Sequence, residues 1–147
     1  MDIQPLLDAP LAVKLHVATV LPAFVLGAWV IFFSRKGSRW HRGLGATYLG
    51  LMTATALIAL FIHRRAPNSP VFGLSFIHLY VPFVLFWVYR ALATVRAGNI
   101  KGHISAMRGL FIGALVLNGL SNALLLPGIT HDVLFPVGHT LFTQLVK

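Results

Sequence analysis

The sequence contains four apolar segments that are long enough to cross a lipid bilayer, over residues 11–33, 43–62, 71–95 and 104–126. A spanning helix needs about 20 mainly apolar residues, because the hydrocarbon layer is about 30 Å thick. Short connections between antiparallel helices favour an up-down arrangement. We therefore expect an all-α, integral membrane four-helix up-down bundle that forms one transmembrane domain over residues 1–147.

Breaks in the apolar pattern mark the ends of these segments. The run "HRRAPNSP" closes the second segment with charges and two prolines, and "PG" at Pro127 ends the fourth. The remaining tail, residues 129–147, is apolar but short for a span. It is predicted to be a short interfacial helix or a fifth helix.

Composition supports lipid as the solvent of this chain. Its 147 residues are 57% hydrophobic and 10% charged, with a mean hydropathy of +0.81, and a soluble domain of this size cannot hide so much apolar surface. The net charge of +9 lies at the ends of the apolar segments, which favours anionic headgroups over nucleic acid as the partner. The absence of cysteine excludes disulfides and thiolate metal sites.

The positions of the cations predict an orientation. The connection over residues 34–42 carries four cations, and the connection over residues 90–103 carries three more. The opposite side of the membrane receives all three acidic residues: Asp2, Asp8 and Asp132. Because cytoplasmic loops are rich in Lys and Arg, both connections are predicted to be cytoplasmic and both termini to lie outside. The acidic N-terminus lacks a basic n-region, so the first segment is expected to serve as its own insertion signal.

Four of the seven histidines repeat at a fixed spacing. His16 and His41 are 25 residues apart, and so are His78 and His103. In an up-down bundle, His16 and His78 would lie at one level near the outer surface, and His41 and His103 at a second level near the cytoplasm. With a rise of about 1.5 Å per residue, the two levels would be roughly 20–25 Å apart.

Two histidines that face each other across a helix bundle are suited to be the axial ligands of haem b. The sequence therefore predicts one or two haem b groups, one for each histidine pair. For the pair His41 and His103, Arg42 and Arg108 are predicted to meet the haem propionates, and Gly45 to leave room for the flat macrocycle. Such a protein would pass electrons between a quinone or small reductant and an acceptor, which would make it a transmembrane oxidoreductase.

Other functions fit the same residues. A small-molecule or metal transporter is disfavoured. Histidine pairs about 20 Å apart cannot share a zinc or copper ion, whose bonds are about 2 Å long, and the helices lack carboxylates for metal binding or proton coupling. A non-catalytic membrane subunit or assembly factor of a larger complex, in which the histidines only pack and form hydrogen bonds, stays open. Asn118 and Asn122 are predicted to bond another helix or a quinone headgroup, and the GxxxG pair Gly109 and Gly113 to allow close helix contact.

Two sequence elements resemble a widespread family of bacterial inner-membrane proteins of the four-helix, domain-of-unknown-function (DUF) type. The first has the form HR-x-x-G-x-x-Y and consists here of His41, Arg42, Gly45 and Tyr48. The second has the form GN-x-x-x-H-x-x-M and consists of Gly98, Asn99, His103 and Met107. A terminal "PG" also matches, although Ile129 stands where an arginine is expected. The resemblance covers about residues 11–128 and implies a multi-pass protein of the bacterial inner membrane.

The paired histidines are also similar in arrangement to the cytochrome b561 class, in which four helices hold two haems between histidine pairs. No long motif is shared with that class, so this similarity is one of layout alone. It implies haem b. A redox partner protein and a homo-oligomer or hetero-oligomer of the chain in the bilayer stay open.

Overall fold

The computed structural model describes residues 7–62, 78, 80–117 and 119–120. Within these residues lie four α-helices: α1 (Leu11–Ala28), α2 (Arg39–Ala59), α3 (Tyr80–Arg96) and α4 (Ile100–Gly109). Helices α1 and α4 continue without a break into the π-helical segments Trp29–Phe33 and Leu110–Leu117. The tail at 129–147, predicted to be an interfacial or fifth helix, lies outside the described residues.

The four helices form one bundle with a cyclic packing order. Helix α1 packs against α2, α2 against α3, α3 against α4, and the π-helical end of α4 against α1. Helices that follow one another along the chain are therefore neighbours, while α1 lies diagonally across from α3 and α2 diagonally across from α4. This arrangement confirms the predicted all-α, four-helix fold.

Two of the described helices are long and apolar enough to cross a membrane. They are Leu11–Phe33, with a mean hydropathy of 2.0, and Ile100–Leu117, with a mean hydropathy of 1.3. The first matches the predicted segment 11–33, although its last turn is π-helical. Large apolar side chains on its surface are exposed, including Leu21, Val25 and Phe32, as expected of a helix that faces lipid.

Helices α2 and α4 begin four residues earlier than hydropathy predicts, at Arg39 and Ile100 instead of 43 and 104. The cause is a polar first turn closed by a capping side chain. Ser38 Oγ accepts a hydrogen bond from the His41 backbone N–H at 3.1 Å, and Asn99 Oδ1 accepts one from the Gly102 N–H at 2.9 Å. Helix α2 also ends earlier, at Ala59 instead of 62.

The structure describes the third predicted segment, 71–95, only in part, and in that part the helix boundaries differ from the prediction. Helix α3 begins at Tyr80 and ends at Arg96, and His78 lies in a 3₁₀ turn before it. His78 is therefore not inside the helix as its spacing suggested. Residues 71–77 lie outside the described part of the chain. Likewise, the predicted fourth segment is described as helix only as far as Leu117 and at residues 119–120.

The core of the bundle is built around the inward face of α2. Tyr48 and Met52 are among its largest fully buried side chains. The Tyr48 ring fills space left by Gly27 of α1, where a Cβ would lie only 2.7 Å from Tyr48 Cε2 and 2.8 Å from Phe111 Cδ2. The Tyr48 hydroxyl is buried and has no hydrogen-bond partner within the described part of the chain. Gly27 is thus required by packing.

The GxxxG pair of α4 serves contacts inside the bundle. A Cβ on Gly109 would lie 2.9 Å from Trp87 Cη2, and a Cβ on Gly113 would lie 2.6 Å from Phe83 Cζ. Trp87 and Phe83 are one turn apart on α3, so the two glycines accept two aromatic rings of the neighbouring helix. The predicted close contact is therefore between α3 and α4, where aromatic rings of α3 pack against the backbone at the two glycines.

Candidate functional site

A cavity of about 410 Å³ opens at the end of the bundle where α2 and α4 begin. This volume lies within the range of about 300–1,000 Å³ that is typical of small-molecule sites. We call it the large cavity. It brings together all five residues predicted for the cytoplasmic-side haem: His41, Arg42, Gly45, His103 and Arg108. These residues come from α2 and α4, the two helices that face each other across the diagonal.

His103 lies in the first turn of α4 and is held by the backbone of α3. Its Nδ1 is 2.9 Å from the carbonyl oxygen of Ala91. A carbonyl oxygen can only accept, so the Nδ1–H of His103 donates this bond. In the neutral imidazole, Nε2 then carries the lone pair and is the nitrogen available to a ligand or a metal.

His41 is held in the same tautomer by a side chain. Ser34 Oγ donates its hydroxyl hydrogen to the carbonyl oxygen of Val30 at 2.7 Å, and the same Oγ lies 2.8 Å from His41 Nδ1. Since the hydroxyl hydrogen is already used, the Nδ1–H of His41 must donate to Ser34. The Nε2 of neutral His41 is therefore also left with a free lone pair.

The surroundings of His41 favour its neutral form. Partial burial is the largest influence that lowers the pKa of His41 from its ordinary value of 6.5, followed by the positive charges of Lys36 and His103. Both imidazoles line the large cavity. A neutral imidazole is the form that coordinates metals, so this environment supports ligation.

Three cations line the large cavity: Lys36, Arg42 and Arg108. All three residues are exposed, and the described residues that line the cavity include no carboxylate to neutralise them. The cations therefore form a positive mouth. They suit an acidic group on the ligand.

The rest of the cavity wall is aliphatic. Its apolar residues are Val30, Ile31, Ala46, Leu49, Leu92, Val95, Ile100, Ile104 and Met107. Val30, Leu49 and Met107 are buried, so the apolar end of the cavity lies inside the bundle. A Cβ on Gly45 would meet only Val30 Cγ1 at 3.8 Å, an ordinary contact distance. Packing therefore does not require this glycine, and the space beside it belongs to the cavity.

His16 of α1 lies beside a second, much smaller cavity of about 40 Å³, which we call the small cavity. Its wall takes residues from all four helices, among them Met52, Thr55 and Tyr80. His16 Nδ1–H donates to the carbonyl oxygen of Thr55 at 3.2 Å, and Thr55 Oγ1–H donates to Thr19 Oγ1 at 2.8 Å. This volume has room for water-sized molecules but not for a macrocycle.

His78, the predicted partner of His16, does not line the small cavity in the described part of the structure. It is half-buried in the 3₁₀ turn before α3. The side chains of Asn118 and Asn122, predicted to meet another helix or a quinone, lie outside the described residues. Within the described ranges, no group of three or more metal-binding His, Cys, Asp or Glu side chains occurs.

Two residues of the site were not predicted as site residues. Ser34 and Lys36 belong to the connection between α1 and α2, where Lys36 was counted only as a cation that sets orientation. Lys36 Nζ donates to the carbonyl oxygens of Val30 and Ile31, both at 2.7 Å. A lysine just beyond the end of an apolar helix is a known signal for such capping and would have indicated this bond. No sequence signal links Ser34 to His41.

Comparison with known proteins gives one family. The family model described as "Predicted membrane protein (DUF2306)" matches residues 13–138, which is most of the chain. No curated protein and no solved structure matches the chain. Two membrane-length apolar helices and a match over nearly the whole chain agree in indicating a membrane protein. The chain belongs to the DUF2306 family of predicted membrane proteins.

Proposed function

We propose that this protein is a membrane electron-transfer protein of the b-type cytochrome kind, with haem b in the large cavity. One observation carries the proposal. One cavity of about 410 Å³ is lined by both groups of residues that the sequence predicts for one haem: His41, Arg42 and Gly45 near the start of α2, and His103 and Arg108 on α4.

The donor chemistry of the large cavity fits this group. His41 and His103 come from diagonal helices, and both have Nδ1 bound by a protein acceptor, which leaves Nε2 for the iron. An imidazole whose second nitrogen donates to a carbonyl or hydroxyl is typical of metal-binding histidines, because that bond fixes the tautomer and the orientation of the ring. The positive mouth suits the two propionates, and the aliphatic wall suits the macrocycle.

When bound, the iron of such a group carries one electron between two oxidation states. The protein residues bind and tune it. Val30, Leu49 and Met107 exclude water from the buried end, while Arg42 and Arg108 place positive charge at the mouth. Burial, nearby charge and the hydrogen bonds of the axial ligands are the properties that set a haem potential.

A second haem between His16 and His78 stays a prediction, with less support from the structure. The volume beside His16 is about 40 Å³, and His78 lies outside α3. With one haem in the large cavity, electrons would be exchanged on one side of the membrane, between a quinone or small reductant and an acceptor. The two-haem form would add a route to the other face.

The orientation belongs to the same proposal. The large cavity is lined by Lys36 and Gly37 of the connection over residues 34–38, and by Val95 and Ile100 on either side of the connection over residues 97–99. The neighbourhood of these two connections carries most of the cations of the chain. By the positive-inside rule, the large cavity opens to the cytoplasm of a bacterial inner membrane, with both termini on the periplasmic side. A redox partner protein would then approach the positive mouth from the cytoplasm.

Absorption spectroscopy tests the proposal. Protein purified in detergent from haem-replete cells is expected to be red, with the reduced-minus-oxidised bands of low-spin haem b and at least one haem per chain. A colourless, monodisperse and helical preparation would refute it. The histidines would then serve packing and hydrogen bonding alone, as in a non-catalytic membrane subunit.

A further inference from the structure

Lys36 is held more firmly than the other two cations of the large cavity. Its Nζ donates to two carbonyl oxygens at the end of α1, those of Val30 and Ile31, each at 2.7 Å. In the described part of the chain, no side-chain hydrogen bond or ion pair restrains Arg42 or Arg108. The ammonium of Lys36 is thus fixed at the mouth before any ligand arrives.

The fixed ammonium still has bonding capacity. A lysine ammonium has three N–H donors, and two are used by Val30 and Ile31. One donor and the positive charge remain for a group in the cavity that Lys36 lines. A preorganised donor loses little conformational freedom on binding, whereas a free arginine must first be ordered.

The polarity of the cavity defines what kind of group this donor would meet. Lys36, Arg42 and Arg108 are exposed at the mouth, while Leu49 and Met107, which line the same cavity, are buried. A ligand with an apolar body and an acidic edge would enter with its apolar edge first. Its acid groups would then remain beside Lys36.

We propose that Lys36 is the principal anchor for a carboxylate of the ligand, so that the large cavity selects a porphyrin with free acid groups over its ester. This inference rests on the proposed function, because it assumes that a porphyrin occupies the cavity. It adds a specificity-determining residue that acts on the acid groups and is independent of the metal.

Zinc protoporphyrin IX and its dimethyl ester are the probes that test this proposal, since both fluoresce and differ only in their acid groups. The full-length chain in an uncharged detergent is titrated with each. One charge-assisted hydrogen bond predicts that the wild type binds the diacid about tenfold or more tightly than the ester. Lys36→Gln is expected to lose most of this preference and to bind the ester within about twofold of the wild type.

Two matched variants make the result specific. Lys101→Gln removes an exposed cation in the first turn of α4 that does not line the large cavity, and it should keep the full preference. Lys36→Arg keeps a positive charge at this position and should retain part of the preference for the diacid. Circular dichroism and gel filtration confirm that each variant is folded and monodisperse.

The outcomes separate this inference from the proposed function. If the wild type binds acid and ester equally, the anchor is refuted while haem binding stands. If Lys36→Gln weakens both probes equally, Lys36 acts by holding the end of α1, and the anchor is likewise refuted. If added phosphatidylglycerol displaces the diacid from the wild type but not from Lys36→Gln, Lys36 binds a lipid headgroup, and the anchor for a porphyrin carboxylate is refuted. A wild type that binds neither probe and no haem refutes both proposals.

Discussion

The large and the small cavity share the same imidazole geometry and differ in space and charge. His16, His41 and His103 all donate Nδ1–H to an oxygen of the protein. The large cavity measures about 410 Å³ and has three cations at its mouth, whereas the small cavity measures about 40 Å³ and has none in its described wall. Under the proposed function, the greater volume and positive charge of the large cavity, and not the hydrogen bonding of its histidines, distinguish it as the haem site.

The difference follows from where each histidine lies on its helix. His41 and His103 are in the first turns of α2 and α4, next to connections that leave space at the end of the bundle. His16 is in the second turn of α1, and its imidazole is tied to a carbonyl of the neighbouring α2. Equal spacing along the chain thus produces two unequal sites.

The largest expected effect comes from replacing each histidine by asparagine, whose Nδ2–H can stand in for Nδ1–H while Nε2 is lost. His41→Asn and His103→Asn should each lower haem affinity by more than about 100-fold, because loss of an iron ligand exceeds the loss of a residue that only orients it. His16→Asn should leave the haem of the large cavity intact. The measurement is haem content and the low-spin spectrum of purified variants. If all three variants lost haem equally, the large and the small cavity would not differ in haem binding, contrary to this prediction.

The next effect tests volume alone. Gly45→Leu fills space in the large cavity that the protein does not use, and it should weaken haem binding by roughly tenfold, as expected for overpacking of about 1–3 kcal/mol. Gly43→Leu is the matched control, because a side chain there meets nothing within 4 Å. Haem titration of both variants gives the comparison, with thermal unfolding as the check on folding. If Gly43→Leu impairs binding as much as Gly45→Leu, the large cavity is not where haem binds.

A smaller effect is expected from Ser34→Ala, which removes the acceptor of the His41 Nδ1–H. Loss of such an orienting group typically costs about 10–100-fold in metal affinity, and the lower end is expected here because water can replace the hydroxyl. Thr53→Ala is the control, since Thr53 donates to Leu49 O within α2 and does not line the large cavity. Competitive haem transfer to a soluble acceptor measures the change. No difference between the two variants would show that Ser34 does not orient the ligand.

The smallest effect is a pH dependence centred on His41, which lies outside the predicted spanning segment 43–62. Its pKa is lowered below 6.5 in the fold, so the unfolded chain binds more protons than the folded one as the pH falls below 6.5. The contribution of His41 to stability is therefore complete above pH 6.5 and is lost as the pH falls through the folded pKa. Haem ligation should weaken in the same direction, because protonation removes the lone pair of Nε2.

Lys36→Gln tests how far the charge of Lys36 contributes to this pH dependence. Removing the charge of Lys36 removes one of the influences that lower the pKa of His41, so acid release of haem should begin at a slightly higher pH. Burial is the larger influence and remains, which keeps the shift small. Lys101→Gln should leave the release curve unchanged. A shift to lower pH in Lys36→Gln would contradict the assigned electrostatics.

The sequence predicted the fold because a membrane helix can be recognised from the length and hydropathy of its apolar segment. The segment 11–33 is described in full as one helical unit. The starts of α2 and α4 were missed by four residues, since their first turns are polar and are defined by the caps Ser38 and Asn99. Hydropathy does not detect a cap, and the π-helical ends of α1 and α4 leave no periodic signal in such uniformly apolar runs.

The sequence by itself determined an all-helical membrane protein with histidines at matched spacing, because hydrophobicity and helical rise act along the chain. It also singled out five candidate site residues, namely His41, His103 and three residues near them in the sequence. Only the tertiary structure decided that these five share one cavity, that Lys36 is fixed beside them and that His16 faces a space of about 40 Å³. Cavity volume depends on how side chains from different helices pack, and spacing along one chain does not encode that.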